Sequence, residues 1–281
     1  MFLAHSHIPR MRVAIQGERG SYSEEAAHLY FKSLEFELLT KDHLNEVFDS
    51  VQSGEADYGV IPIENSTTGS IRKSLDLLLE RDVRVVGEVK VKVSHALMSV
   101  KGSIEDVRVV YSHPEAIAQC EKFLKGKNWI VIPSLDTAGA ARIVADANDP
   151  SLAAIASERA ASIYGLKILA RDIQDIPLNI TRFFVISLKD QISEGADTTA
   201  AFFATSHKPG SLWRALGAFA RRNINLLWLE SRPIKGEPWN YSFYVEFEGS
   251  INDYIVREAI RELEGLTIWI KILGSYRRMI L

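Results

Sequence analysis

Cysteine is nearly absent from this chain. Cys120 stands alone among 281 residues, which excludes an internal disulfide framework and fits a reducing compartment. No apolar run approaches the roughly 18 residues of a membrane span. Basic tracts and aromatic-basic interleaving are missing as well, and the net charge is −3; neither nucleic acid nor a membrane is an expected partner. The start, MFLAHSHIPR, lacks a basic region and an apolar region of the kind a signal peptide carries. The expectation is a cytoplasmic protein whose residues 1–10 form a loose extension ahead of Met11. Several catalytic signatures are missing too. There is no G-x-S-x-G nucleophile elbow and neither G-x-G-x-x-G nor G-x-x-x-x-G-K-[ST], and the seven histidines show no metal-ligand spacing. A serine hydrolase, a nucleotide site and a metal site are all disfavoured.

What is present is a long alternation of strand and helix patterns. From Met11 it runs RVAIQG, YSEEAAHLYFKS, EFELL, DHLNEVFDSVQSG, DYGVIPI and SIRKSLDLLLE. The stretch VRVVGEVKVKVSHALMSV then alternates at period two for too long to be one ordinary strand, which predicts a crossing between two lobes. A second set follows: VRVVYS, PEAIAQCEKFL, NWIVIP, DTAGAARIVADA, AAIAS, ERAASIYG and LKILARDI. Such alternation predicts mostly parallel sheets with helices on both faces, in two lobes with a cleft between them. Cys120 falls on a helical pattern and reads as a small buried core residue. Residues 190–197 are polar and contain glycine, a linker composition. Beyond them the order becomes βαββαβ, a ferredoxin-like unit. Residues 198–281 hold 11 Lys+Arg against 8 Asp+Glu, whereas the remainder holds 22 against 28.

In parallel α/β sheets, ligands bind at the carboxyl ends of strands, against helix starts. The polar residues gather there: Gly17 to Ser23 around Ser21, Glu64 to Ser70 with Asn65, Ser66 and Thr67, Ser112-His113-Pro114, and Asp136-Thr137. Each offers capping side chains and unpaired amides at the positive end of a helix dipole, an arrangement suited to an anion. The same residues would also serve as ordinary caps and turns. In IPLNITRFFVIS a core-like strand, from Phe183 onward, opens with Asn179, Thr181 and Arg182. A guanidinium fork matches a carboxylate, so the pattern points to a cleft for a small carboxylate without naming a reaction. Asn65-Ser66-Thr67 and Asn179-Ile180-Thr181 are glycosylation sequons by composition only, in a chain expected to stay in a reducing cytoplasm.

Taken in order, GERGSYSEEAA, GVIPIENSTTGSI, VYSHPEAIAQC, AAIASERAASIYGL and NITRFF resemble the segments of prephenate dehydratases. HKPGSLWRAL and INLLWLESRP resemble the phenylalanine-binding segments of the ACT domain attached to those enzymes. The similarity covers residues 11–281. It departs at Glu18, where the family usually has Pro, at Ser21, often Thr, and at Gly210-Ser211-Leu212, where it has GAL. Glu18 and Ser21 are expected to leave the first loop's amides available.

The resemblance implies a two-lobed, doubly wound α/β catalytic domain of periplasmic-binding-protein-like form over 11–189, a linker over 190–197, and an ACT regulatory domain over 198–281. It implies loss of water and carbon dioxide from prephenate without a cofactor, with Thr181 and Arg182 catalytic. Asn65, Ser66, Thr67, Ser112, Ser21 and Phe183 are then substrate-binding. It further implies L-phenylalanine as allosteric effector at Pro209, Gly210, Ser211, Leu212, Asn225, Glu230, Ser231 and Arg232, in a homodimer or homotetramer. Arogenate dehydratase is the nearest alternative, and a non-catalytic small-anion sensor is a more distant one.

Overall fold

The computed structural model describes residues 10–189, 191–237 and 239–279. Apart from Arg10, the expected N-terminal extension lies outside the described residues. Packing divides the chain into two compact units: residues up to Ile71 with Lys90–Phe183, and Arg72–Val89 with Phe184 onward.

The first sheet is built from β1 (Met11–Gln16), β2 (Phe36–Lys41), β3 (Tyr58–Asn65), the two-residue β4 (Gly69–Ser70), β5 (Arg84–Lys92) and β11 (Ile180–Ser187). Its order is β2-β1-β3-β11-β5, with β4 turned back on β3. Strands β1, β2 and β3 run parallel. Helices α1 (Tyr22–Phe31) and α2 (Leu44–Gln52) make the crossovers and pack on β1 and β3. The apolar strand centres, Val13, Ala14, Ile15, Val60 and Ile61, are fully buried, as parallel strands covered on both faces must be.

The second lobe holds β6 (Ala96–Ser99), β7 (Val109–Ser112), β8 (Ile130–Pro133), β9 (Leu152–Ala156) and β10 (Lys167–Ala170), in the order β10-β6-β9-β7-β8. Strand β7 runs parallel to β8 and β9, but β6 is antiparallel to both β9 and β10. The sheet is therefore mixed where the sequence pattern predicted it mostly parallel. The reason is that β6 arrives from the other sheet without a helical crossover, so the βαβ rule does not set its direction. Helices α6 (Thr137–Ala147) and α7 (Glu158–Tyr164) close one core through Ala140, Ala141, Val144 and Ala160 against Met98 and Ala154. The pattern PEAIAQCEKFL breaks into α4 (Pro114–Gln119) and α5 (Glu121–Leu124), with Cys120 buried at the joint. There the Lys122 amide leaves the helical ladder and donates to the Asp175 carboxylate. Burial pushes the Cys120 thiol up to about 12, so it is a core thiol and not a nucleophile.

The long period-two run divides at Val93–His95. The chain crosses between lobes here and returns at 171–179, and the two crossings bond to each other. Val93 N donates to Asn179 O (2.7 Å) and Ile173 N to His95 O (3.0 Å). His95 N donates to Gln174 Oε1 (2.9 Å), and Ser94 Oγ to Asp172 (2.7 Å). Side chains and the return segment thus take the backbone partners that a continuous ladder would have supplied.

In the second unit, β12 (Thr198–Ala204), α8 (Ser211–Ala220), β13 (Leu226–Pro233), β14 (Tyr241–Glu248), α9 (Tyr254–Leu266) and β15 (Trp269–Tyr276) follow the βαββαβ order. The sheet runs β13-β14-β12-β15, antiparallel throughout. Helices α8 and α9 cover one face through Ala215, Phe219, Val256 and Leu263 against Phe203, Val245 and Phe247. Helix α3 (Arg72–Glu80) and the first residues of β5 pack within this unit. Gly274 is required for that approach, since a Cβ there would lie 2.2 Å from Val85 O.

Candidate functional site

The two sequon-like segments meet. Asn65, at the end of β3, donates from Nδ2 to Asn179 Oδ1 (2.7 Å) and to Thr181 Oγ1 (3.0 Å). Its Oδ1 accepts from Thr67 N (2.9 Å), Thr67 Oγ1 (2.6 Å) and Thr68 N (3.2 Å). One buried amide therefore fixes both the β3–β4 turn and the Thr181 hydroxyl. Ser66 closes the junction: its N donates to Ile180 O (2.8 Å), and its Oγ accepts from Ile180 N (2.9 Å). Among the described residues the Thr181 hydroxyl accepts one bond and its proton has no acceptor.

Behind this layer a half-buried chain runs into the second lobe. Asn179 Nδ2 donates to Gln119 Oε1 (2.9 Å), which also faces His95 Nε2 (2.8 Å). His95 Nδ1 lies 3.2 Å from the Tyr22 hydroxyl, itself a donor to Ser94 O (2.6 Å). With Gln119 Oε1 as the acceptor, the network assigns the His95 proton to Nε2. Burial pushes His95 down from its ordinary value, against the smaller opposing effects of Gln119 and Glu115, so the ring is neutral at pH 7. Burial pushes the Tyr22 hydroxyl up, so it stays protonated. Thr68 Oγ1 adds a contact across the lobes to Glu115 (3.0 Å).

Arg182 is mostly buried, and its Nε sits 3.2 Å from Glu64 Oε2. The guanidinium expected to meet a ligand carboxylate thus faces a protein carboxylate from the same end of β3. Glu64 is 40% exposed, against 13% for Arg182. Phe183, the next residue, is buried in the strand.

Other expected residues are placed differently. Ser112 is fully buried and donates to Ile155 O (2.7 Å), tying β7 to β9; the cap of α4 is His113, whose ring accepts from Glu115 N. Residues 64–70 do not start a helix but form the β3–β4 hairpin, because Ser70 and Gly69 pair back onto Glu64 and Asn65. Ser21 caps α1, accepting from Glu24 N (3.3 Å). Three of the first-loop amides that the sequence led us to expect available are already committed. Gly17 N donates to Lys41 O, Ser21 N to Glu18 O, and Gly20 N to Glu24 Oε2 (2.6 Å). Glu24 is buried and paired with Arg159 (3.4 Å). Burial alone would raise its carboxyl, but the Gly20 amide and Arg159 outweigh burial and hold it below the ordinary value. A buried glutamate thus occupies the anion position that the sequence pattern left to a ligand. Gly20 itself has φ +90°, and a Cβ there would lie 2.8 Å from Ala160 Cα. It serves helix packing.

In the second unit the expected effector residues separate by strand face. At the start of α8 a small cavity of about 160 Å³ is lined by Ser206, His207, Ser211, Leu212, Tyr241 and Phe243, among others. Gly210 stands ahead of the helix with φ +77°, and Arg214 reaches back to Pro209 O. On β13, Ser231 pairs with Phe243 and Pro233 with Tyr241, whereas Glu230 pairs with Tyr244 and Arg232 with Ser242. Paired residues share a face and neighbours alternate, so Ser231 belongs to the cavity face and Glu230 and Arg232 to the opposite one. Asn225 lies before the strand, and its carbonyl accepts from Glu248 N (3.0 Å).

Sequence reasoning missed Gln119 and His95, and gave no separate role to Tyr22 and Glu64 within the stretches it singled out. Gln119 and His95 stand on a helix and at a strand start, where a polar residue gives no local signal. Among the described residues no cluster of three or more His, Cys, Asp or Glu could hold a metal ion, and no helix is long and apolar enough to cross a membrane.

Comparison with known proteins gives two family matches: prephenate dehydratase over residues 13–191 and the ACT domain over 202–265. An arogenate dehydratase/prephenate dehydratase 2 of Arabidopsis thaliana is 42% identical over 96% of this chain and 74% of its own length. A bifunctional chorismate mutase/prephenate dehydratase of Aquifex aeolicus is 38% identical over 97% of this chain and 75% of its own. The solved prephenate dehydratase of Arthrobacter aurescens, in complex with L-Phe, superposes with a TM-score of 0.87 at 29% identity. That match covers 95% of this chain and 90% of that one.

Proposed function

The chain belongs to the prephenate dehydratase family, with an ACT domain after the dehydratase region, and on that premise we propose how it works as a hydro-lyase. It takes prephenate to phenylpyruvate, carbon dioxide and water. The bond to the ring carboxylate breaks, its electron pair enters the ring, and the C–O bond at the far ring carbon breaks. One proton is taken up so that hydroxide leaves as water. The ring becomes aromatic, so no cofactor is needed as an electron sink. The protein must hold a dianion and assist the departing hydroxyl, by positioning and electrostatics.

The observation that carries this reading is the Thr181 hydroxyl, held by Asn65 as an acceptor with its own proton uncommitted. Thr181 hydrogen-bonds the departing hydroxyl, directly or through a water that supplies the proton. Arg182 receives the pyruvyl carboxylate in exchange for Glu64. Gripping the ring carboxylate instead would stabilise the ground state and oppose its loss. Asn65, Ser66 and Thr67 form the wall beside them and Phe183 anchors the pair, while Ser112 and Ser21 hold backbone behind the cleft. The catalytic domain spans 11–189, the linker 190–197 and the regulatory domain 198–281.

L-phenylalanine is the effector, at the ACT segments from Pro209 to Leu212 and around β13; the L-Phe complex of the Arthrobacter relative supports this. The protein acts in the cytoplasm as a homodimer or homotetramer. The likeness to an Arabidopsis arogenate dehydratase/prephenate dehydratase favours arogenate as a second substrate. An ultraviolet assay of phenylpyruvate formation from prephenate tests the main reading, and the ratio of kcat/KM for the two substrates tests the second. For Thr181→Ala, kcat should fall well over tenfold. A change within about threefold, under 1.4 kcal/mol of barrier, would leave Thr181 no chemical role.

A further inference from the structure

We propose that α3 is a positioning element linking the regulatory strand β13 to the β3–β4 hairpin, with the Arg232–Asp76 pair as the joint. The proposal rests on the reading that phenylalanine regulates this enzyme.

Helix α3 lies in sequence inside the catalytic region, yet it packs within the unit of the small domain. Three cations of that domain hold it. Arg232 donates from Nε (3.0 Å) and Nη2 (2.5 Å) to Asp76 Oδ1, and Lys235 pairs with Glu80. Lys271 donates to the carbonyls of Leu78, Leu79 and Arg81 (2.9, 3.1 and 2.6 Å), capping the negative end of the helix. Arg232 is only 11% exposed and Asp76 27%, so this joint is far better shielded than a surface ion pair.

Strand β13 has two faces with two clients. Ser231 and Pro233 share a face with Phe243 and Tyr241, which line the cavity at the start of α8. Arg232 faces the other way, to Asp76. Ser231 and Arg232 are adjacent on one strand, so a ligand that displaces it from the cavity face carries Arg232 with it. A second carboxylate, Glu230, lies 3.8 Å from Arg232 and offers the guanidinium an alternative partner when the strand moves. At its other end α3 starts at Arg72, directly after Ile71, whose N donates to Ile63 O (2.9 Å). The hairpin between Ile63 and Ile71 carries Asn65, Ser66 and Thr67. A shift of α3 along its axis therefore acts by covalent connection on the residues that fix the Thr181 hydroxyl. Asp76 is not among the expected substrate or effector residues; it works through Arg232 and α3.

The test is Asp76→Asn, isosteric and uncharged, in the full-length protein. Three quantities are measured: kcat/KM for prephenate without effector, the phenylalanine Kd by equilibrium dialysis, and the inhibition reached at saturating phenylalanine. The first two should stay within about threefold of the unaltered protein, and the inhibition factor should shrink at least about fivefold, the lower end of ordinary allosteric coupling. Asp76→Glu, which keeps the charge, should restore part of it. Unchanged inhibition in Asp76→Asn overturns the proposal. In the unaltered protein, phenylalanine should change amide exchange protection across residues 72–80, and no change there overturns it without any variant. If the unaltered protein neither binds nor responds to phenylalanine, the regulatory reading itself fails and the link falls with it.

Discussion

Replacing Asn65 with Asp removes one hydrogen-bond donor and changes little else in shape. In the native site Nδ2 serves two acceptors, Asn179 Oδ1 and Thr181 Oγ1, while Oδ1 accepts from the 67–68 turn. A carboxylate keeps the turn but presents an oxygen to both former acceptors. Thr181 then rotates to donate its proton to that carboxylate. A bond to a charged group is worth about 1.5–3 kcal/mol net, and it must be broken before Thr181 can serve the departing hydroxyl. At 1.36 kcal/mol per tenfold, kcat for prephenate should fall roughly 10- to 150-fold. The Asn179 bond, lost with no replacement, leaves a buried oxygen facing a carboxylate and costs about 1–3 kcal/mol of stability or more, which the melt reads. The assay is steady-state phenylpyruvate formation beside a thermal melt, with Thr181→Ser as a control that keeps the hydroxyl. A kcat within about threefold in Asn65→Asp, with the fold intact, would refute the idea that Asn65 directs the Thr181 proton.

Two further outcomes follow from the first loop. Gly20→Ala should destabilise the protein by about 2–5 kcal/mol, from the left-handed backbone and from the clash with Ala160, and a melting temperature unchanged in thermal denaturation would contradict the packing role. Glu24 has a carboxyl held below its ordinary value of 4.5 in the fold, so the unfolded chain binds the proton more tightly. Its stabilisation is fully present above about pH 4.5 and is lost as pH falls through the lower folded value; urea titrations should show that loss, and Glu24→Gln should show it much reduced.

The βα rhythm of both lobes, the break into two sheets and the βαββαβ order of the last segment are all legible in the chain, because burial on one or two faces writes a period into the sequence. The oddity of Thr181 and Arg182 is legible too, since a polar pair at the mouth of a buried strand is a local inconsistency. The mixed pairing of the second sheet is not, because strand direction depends on which sheet delivers the chain. The first loop shows the other limit. Gly17 to Ser23 reads as an anion loop, yet its Gly20 amide already holds the carboxylate of Glu24, one helical turn away.

By itself the sequence determines which segments are strands and helices, which residues are chemically exceptional, and which family the motifs belong to. These properties are local, or they accumulate along the chain. Only the tertiary structure decides which exceptional residues are free to act. It brings Asn65 to Thr181 across 116 positions, gives Arg182 a partner in Glu64 and buries the Ser112 hydroxyl against Ile155. It also sends Ser231 and Arg232 to opposite faces of one strand. A hydrogen-bonding group is available only when folding has not supplied its partner, and partners distant in sequence become neighbours only when the chain closes on itself.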